Sequence, residues 1–287
     1  RVSYLSSDNN YPFTDSYQSG NPEVKLTNAK VRLLNFMQQF GTKINEHNSL
    51  HFNFWLSDAQ RQIPPIISKE VSKQSQDDYS LRSMLTWKGQ FKRISTEFTS
   101  AFFQDEIHYR DSEIYLDQKS IMQAFRNNLL LKYDSLNKIS FETQVGFDYE
   151  RAIVPSYGNN KIRYTTKLSS GLKYQPVHGI LLRLNLREQL ADKSFSPFSP
   201  SLNFVFAKRM KQHTISVFTN ASRNFRFPTL NDLYWVPGGK PKGKREKSGE
   251  GELGMRYQFK SNFSLKTTGF CKYVTNWIQW TPDGANW

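Results

Sequence analysis

The sequence predicts an all-β protein: an antiparallel, up-and-down transmembrane β-barrel, present here in part. Three observations carry that prediction. Apolar and polar residues alternate in run after run. The connections between runs are short and long in turn. Aromatic residues stand at the ends of runs that lead into the short connections.

The first observation sets the elements in chain order. The opening "RVSYLSS" already reads as a strand. "ISFETQVGFDY" places Ile139, Phe141, Val145, Phe147 and Tyr149 on one face. "IRYTTKLSSGLKY" sets Ile162, Tyr164, Leu168, Leu172 and Tyr174 against Arg163, Lys167 and Lys173. "ELGMRYQF" sets Leu253, Met255, Tyr257 and Phe259 against Gly254, Arg256 and Gln258. A period of two is the pattern of a strand with one apolar and one polar face. About thirteen such runs occur, most of them longer than the usual 5–6 residues. A strand that crosses a bilayer needs about 9–11.

The second observation sets the topology. Short connections are expected at Gly41–Asn48, Lys88–Arg93, Asp134–Lys138, Gln175–Gly179, Lys208–His213 and Lys260–Asn262. Long ones are expected at Ser7–Ala29, Ser57–Asp77, Gln104–Gln118, Arg151–Lys161, Glu188–Pro200 and Arg223–Gly249. In a meander, this puts every short turn at one rim, as in outer-membrane barrels with short periplasmic turns and long outer loops. The third observation sets the medium. Phe40, Trp87, Tyr133, Tyr174 and Phe259 each lie on the apolar face before a short turn. Amphipathic rings at one height suit a membrane–water interface.

Composition limits the function. Apolar residues make up 37% of 287 and aromatics 15%, with a mean hydropathy of −0.66. So many aromatics argue against disorder. No apolar run reaches the length of a membrane helix,. The single cysteine, Cys271, permits neither an internal disulfide nor a cysteine-based metal site,. The net charge of +14 favours anionic ligands or surfaces. Arg163, Lys167, Arg183, Arg187, Arg256, Lys266 and Lys272 fall on the polar face, which becomes the lumen wall of a barrel. They would attract an anionic solute or an acidic domain packed inside, or belong to a wet wall balanced by acidic residues in the missing strands. With no recognition helix, nucleic acid is not expected.

No catalytic motif occurs: no G-x-S-x-G, no H-E-x-x-H and no Gly-rich phosphate loop,. No enzyme, cofactor or metal site is expected. His47 and His51 flank a turn, and Asp105, Glu106 and His108 are read as a solvated acidic loop. The basic, Gly-rich "GGKPKGKREKSGEGE" (Gly238–Glu252) reads as an exposed loop that can meet anionic headgroups,.

One segment breaks the alternation. "NFRFPTLNDLYWVPGG" holds Phe225, Arg226, Phe227, Pro228, Thr229, Leu230, Asn231, Asp232, Leu233, Tyr234 and Trp235. Pro228 and Pro237 remove backbone donors, so no ordinary ladder can continue. The expectation is a structured loop base folded over the barrel mouth, bordering a ligand or pinning the loop to the rim. Phe225, Arg226, Pro228, Asn231, Asp232, Tyr234 and Trp235 are its candidate site residues.

"FRFPTLNDLYW", followed by Pro241, Glu246 and Ser248 and then "ELG", resembles the C-terminal half of the barrel of TonB-dependent outer-membrane receptors. Lys240, Gly243 and Arg245 stand where the family would carry Asn, Leu and Pro. The resemblance implies a barrel of about 22 strands with an N-terminal plug, energised through the TonB complex. It implies import of a scarce nutrient across the bacterial outer membrane, a ferric siderophore or cobalamin. Haem-type members carry a His between the two elements, and none lies between Phe225 and Pro241. On this reading residues 1–287 are part of a single barrel domain. The plug, the early strands and the final strands lie outside the chain, and the ending "TPDGANW" lacks the pattern of a closing strand. The alternatives are a passive porin, a barrel enzyme or a soluble β-rich glycan-binding module.

Overall fold

The computed structural model describes residues 1–17, 19–66, 71–135 and 138–281. In chain order the strands are β1 (Val2–Ser7), β2 (Pro12–Thr14), β3 (Glu23–Lys25), β4 (Val31–Asn45), β5 (Asn48–Ile63), β6 (Gln74–Phe91), β7 (Ile94–Asp111) and β8 (Leu116–Ser135). They continue as β9 (Ile139–Ile153), β10 (Lys161–Tyr174), β11 (Ile180–Ala191), β12 (Ser194–Phe195), β13 (Ser199–Met210), β14 (His213–Arg226), β15 (Glu246–Phe259) and β16 (Phe263–Thr275). A short helix, α1 (Leu230–Tyr234), sits between β14 and β15. A single 3-10 turn, Pro155–Tyr157, sits between β9 and β10.

All strands but β2 and β3, which pair only with each other, form one antiparallel sheet in the order β1-β4-β5-β6-β7-β8-β9-β10-β11-β13-β14-β15-β16, with β12 paired only to β11. This is the meander expected of an up-and-down barrel. β4–β11 and β13–β16 are 12 to 20 residues long, so each can cross a bilayer. Every interior strand is paired on both sides, which satisfies its backbone where no water can. β1 and β16 are the two ends of this order, and no pairing joins them among the described residues. The sheet is therefore part of a barrel.

Register fixes which face each side chain takes. Trp87 pairs with Leu50 and Phe98, Phe98 with Leu129, Leu129 with Val145 and Val145 with Leu168. One apolar band thus runs across the strands. Its large side chains are open: Leu168 is 50% exposed and Leu253 62%. No large side chain is fully buried among the described residues. Three of the most buried apolar positions, Ala101, Ala124 and Ala152, lie on the opposite face. A soluble sandwich would bury its large apolar groups between sheets. A face of Leu, Phe and Val turned outward over long strands suits lipid.

Phe40, Trp87, Tyr133, Tyr174 and Phe259 all lie on the apolar face near the short turns, as the sequence predicts. The turn at 211–212 lacks a preceding aromatic, yet His213 just after it joins the girdle. Its ring stacks 5.0 Å from Phe259 and its Nδ1 lies 2.7 Å from Tyr257 Oη.

The alternation of turn lengths fails between β7 and β8, and a second long connection is shorter than expected. The long connection expected at 104–118 shrinks to 112–115, because β7 and β8 run on past the apolar band. Asp105, Glu106 and His108 are therefore strand residues rather than a solvated loop. Asp105 pairs with Arg82 (3.2 Å), Glu106 with Lys119 (2.7 Å) and His108 with Asp117 (2.5 Å). Cross-strand charge pairs supply the ladder with side-chain partners that alternation alone does not reveal. Similarly, the basic loop expected at Gly238–Glu252 ends at Arg245, where β15 begins. The closing 282–287, on which the reading of "TPDGANW" rests, lie outside the described residues.

Candidate functional site at the barrel mouth

The segment that breaks the alternation forms a strap. β14 ends at Arg226, and Pro228 denies the ladder a donor. Thr229 then starts α1. Its hydroxyl accepts from Asp232 N (3.1 Å), and the Asp232 carboxylate accepts from Thr229 N (2.8 Å). This reciprocal capping satisfies two helix-end donors. Leu230, Leu233 and Tyr234, at i, i+3 and i+4, share one face of the turn. Leu230 packs with Ala152 and Tyr157, beside Val154 and Tyr234. The strap thus leaves β14 and docks on the loop after β9, which lies four strands away along the sheet.

Polar contacts fasten the docking. Tyr157 Oη donates to Asn231, and Val236 N donates to Ser156 O (2.9 Å). Tyr157 meets Tyr234 at 6.3 Å and Trp235 edge-on at 6.5 Å. Lys161 Nζ stands 4.6 Å above the Tyr234 ring. Gly239 closes the return: a side chain there would meet the Trp235 backbone at 2.7 Å.

Asp232 is the hub. It also accepts from Arg226 Nη2 (3.2 Å) and from the indole Nε1 of Trp280 (2.9 Å), a residue beyond β16. Its side chain is only 6% exposed. Burial pushes its pKa up, but hydrogen bonds from Trp280 and Thr229 and the Arg226 charge outweigh this and hold it below the ordinary carboxylate value,. Burial, and then the negative charge of Asp232, pushes the Tyr157 phenol above its ordinary value.

The sequence separates two groups of candidates, and the structure joins them. Arg163, assigned to the lumen wall, reaches the strap: its Nη1 donates to Pro228 O (2.9 Å) and its Nε to Asp192 (3.1 Å). Arg187 stacks over Phe225 at 5.3 Å. Phe225 meets Phe227 edge-on, and Arg226 also approaches Glu246 (3.5 Å). Other wall cations differ in role. Lys167 is bonded to Asp148, which lies 3.9 Å from Arg126. The acids that balance the wall thus include residues of these same strands. Arg183 and Arg256 have no ion-pair partner among the described residues. Lys266 stands over Phe218 at 5.0 Å.

Sequence reasoning missed several members. Tyr157 and Trp280 lie in irregular segments whose partners no local pattern specifies. Trp55, Arg82 and Phe103 occupy one rung on the lumen face, lining a hollow of about 730 Å³. Arg126 stacks over Phe103 at 5.5 Å. An aromatic on the polar parity of a strand was the available signal. His47 lies in the 46–47 turn and His51 on β5. Among the described residues no cluster of three metal-ligating side chains occurs.

A family model for "TonB dependent receptor-like, beta-barrel" matches residues 1–287. The chain belongs to this family. Its barrels lie in the bacterial outer membrane, which places this TonB-dependent receptor barrel there, with the long connections outward,. Solved structures agree on the fold. The siderophore receptor PirA from Pseudomonas aeruginosa matches at TM-score 0.70 and 15% identity, over 87% of this chain and 47% of that one. A mutant of the ferric enterobactin receptor PfeA from the same organism matches at 0.72 and 13%, over 95% and 48%. A double mutant of the Serratia marcescens hemophore receptor HasR, in complex with its hemophore HasA and heme, matches at 0.74 and 12%, over 96% and 50%. The chain spans about half the length of these structures. No curated protein matches it.

Proposed function

We propose that the complete protein is an outer-membrane receptor that imports an anionic iron chelate of the ferric siderophore class, driven through TonB and closed by a plug domain packed against the lumen wall. The reading rests on family membership, and its ligand on one observation. The lumen wall of β11 and β15 carries Arg183 and Arg256 without carboxylate partners among the described residues. Uncompensated guanidinium groups facing a channel favour a negatively charged occupant. The rung of Trp55, Arg82 and Phe103 adds aromatic surface suited to an aromatic chelate. Similar solved structures carry siderophore and ferric enterobactin in their names, which supports the same class. HasR is named with heme, but this chain lacks the expected His between Phe225 and Pro241. No specific feature favours cobalamin. A transport receptor needs binding and gating groups rather than a nucleophile or general base, in keeping with the lack of catalytic motifs.

The test is uptake of radiolabelled iron presented on a panel of siderophores, in cells with and without TonB. Uptake of one chelate that stops without TonB, and falls about tenfold in an Arg183→Glu, Arg256→Glu variant, is expected. Uptake that persists without TonB would indicate a passive porin and overturn the proposal.

A further inference from the structure

On the outward face of β7–β10, polar side chains pair across strands. Gln123 Nε2 donates to Gln104 Oε1 (2.9 Å), Lys119 meets Glu106 (2.7 Å), and the Thr143 and Ser170 hydroxyls lie 2.6 Å apart. Asn127 is an exception. It lies on the same face of β8, between Phe125 and Leu129, and its register partners are Ser100 on β7 and Phe147 on β9. The side chain is partly exposed and makes no hydrogen bond among the described residues. Leu129 and Leu131 separate it from Tyr133 of the short-turn girdle, and Phe125 separates it from Gln123, where the outward face turns polar. At about 3.3 Å per residue, the amide is ~13 Å along the strand from that polar rung. It therefore stands inside the lipid-facing band.

Hydrocarbon supplies neither donor nor acceptor, so an amide left there forfeits the bonds it makes in water. The barrel itself does not cover it. β7, β8 and β9 are each paired on both sides, so further strands extend the sheet only at β1 and β16. The chemistry of the group identifies the occupant. A carboxamide carries two N–H donors and a carbonyl acceptor, so a second carboxamide complements it. Two copies related by a two-fold axis along the membrane normal share one orientation and set the same patch against itself. Asn127 then meets Asn127, and each donates to the oxygen of the other. Ser100 beside it is small and lets the two walls approach, while Phe125, Leu129 and Phe147 pack around the pair. We propose that the lipid-facing surface of β7–β9, centred on Asn127, is the interface of a homodimer in the outer membrane. The inference uses the membrane placement of the barrel and no feature of the lumen, so it stands or falls separately from iron uptake.

The experiment uses the complete receptor in native outer membranes, in a cysteine-free background that includes Cys271→Ser. Asn127→Cys is oxidised in place beside Leu253→Cys, a lipid-facing control on β15. A covalent dimer of two receptor chains is expected from Asn127→Cys and none from Leu253→Cys. Dissociation of the dimer is then measured in detergent by analytical ultracentrifugation, with heat-dependent migration on gels to verify that each variant is folded. Asn127→Leu, which suits lipid, should weaken the dimer about tenfold. Asn127→Gln, which keeps the amide, should retain most of the affinity. Cross-linking of Asn127→Cys only to a different protein would show another occupant and overturn the homodimer. So would cross-linking of both cysteine variants, cross-linking of neither, or an Asn127→Leu dimer as tight as wild type.

Discussion

Asp232 shows how one side chain can hold a loop. It caps α1, pairs with Arg226 and receives the Trp280 indole, so three segments depend on one carboxylate. Asp232→Ala leaves buried donors unmatched, at a cost of about 1–3 kcal/mol. The expected outcome is faster hydrogen exchange across 227–245 with the strands unchanged. Because the folded-state pKa is depressed, the contribution of Asp232 is complete above its ordinary value of 3.8. It is lost as pH falls through the lower folded value. Protection of the strap, taken relative to the intrinsic exchange rate at each pH, should therefore be flat at neutral pH and fall only below about pH 4, and Asp232→Asn should abolish that fall. Tyr157→Phe removes the bond to Asn231. It should loosen the strap by about 1 kcal/mol, read by the same exchange measurement.

At the scale of elements, turns decide which rim is which. Gly179 closes the turn before β11 at φ +88, and an added Cβ would lie 2.1 Å from Ala207 O. A backbone carbonyl within a strand cannot yield as a side-chain end can. Gly179→Ala should cost at least about 1 kcal/mol, seen as unfolding of the complete barrel at a lower temperature. The strand alternation itself was legible in the sequence, since a period of two needs only neighbouring residues. The extension of β7 and β8 was not. Their upper parts are polar on both faces, and what makes them strands is pairing across the sheet, as in Arg110 with Asp77 and Lys119 with Glu106. The strap was legible as an exception, through its two prolines, but not as a bridge to Tyr157.

At the scale of the molecule, the outward apolar band makes a direct prediction. In a background where Cys271, the lone cysteine, is changed to Ser, Trp87→Cys and Tyr133→Cys should react with a lipid-soluble maleimide and resist an aqueous one. The opposite selectivity would place the aromatic girdle in water and remove the membrane reading. The complete protein should also fractionate with the outer membrane and migrate in a heat-dependent way on gels. Recovery without detergent would contradict this.

The sequence by itself determined the strand period, the order of the meander, the facing of apolar and basic residues and the family. All of these are set by spacing along the chain. Only the tertiary structure decided which cations are spent on carboxylates and which remain free. It alone showed that Arg163 serves the strap, that Tyr157 and Trp280 meet it, and that the Asn127 amide has no partner among the described residues. The physical reason is range. Alternation is a property of adjacent residues, whereas an ion pair or a docked loop depends on distances between strands far apart in sequence, which register and sheet curvature set.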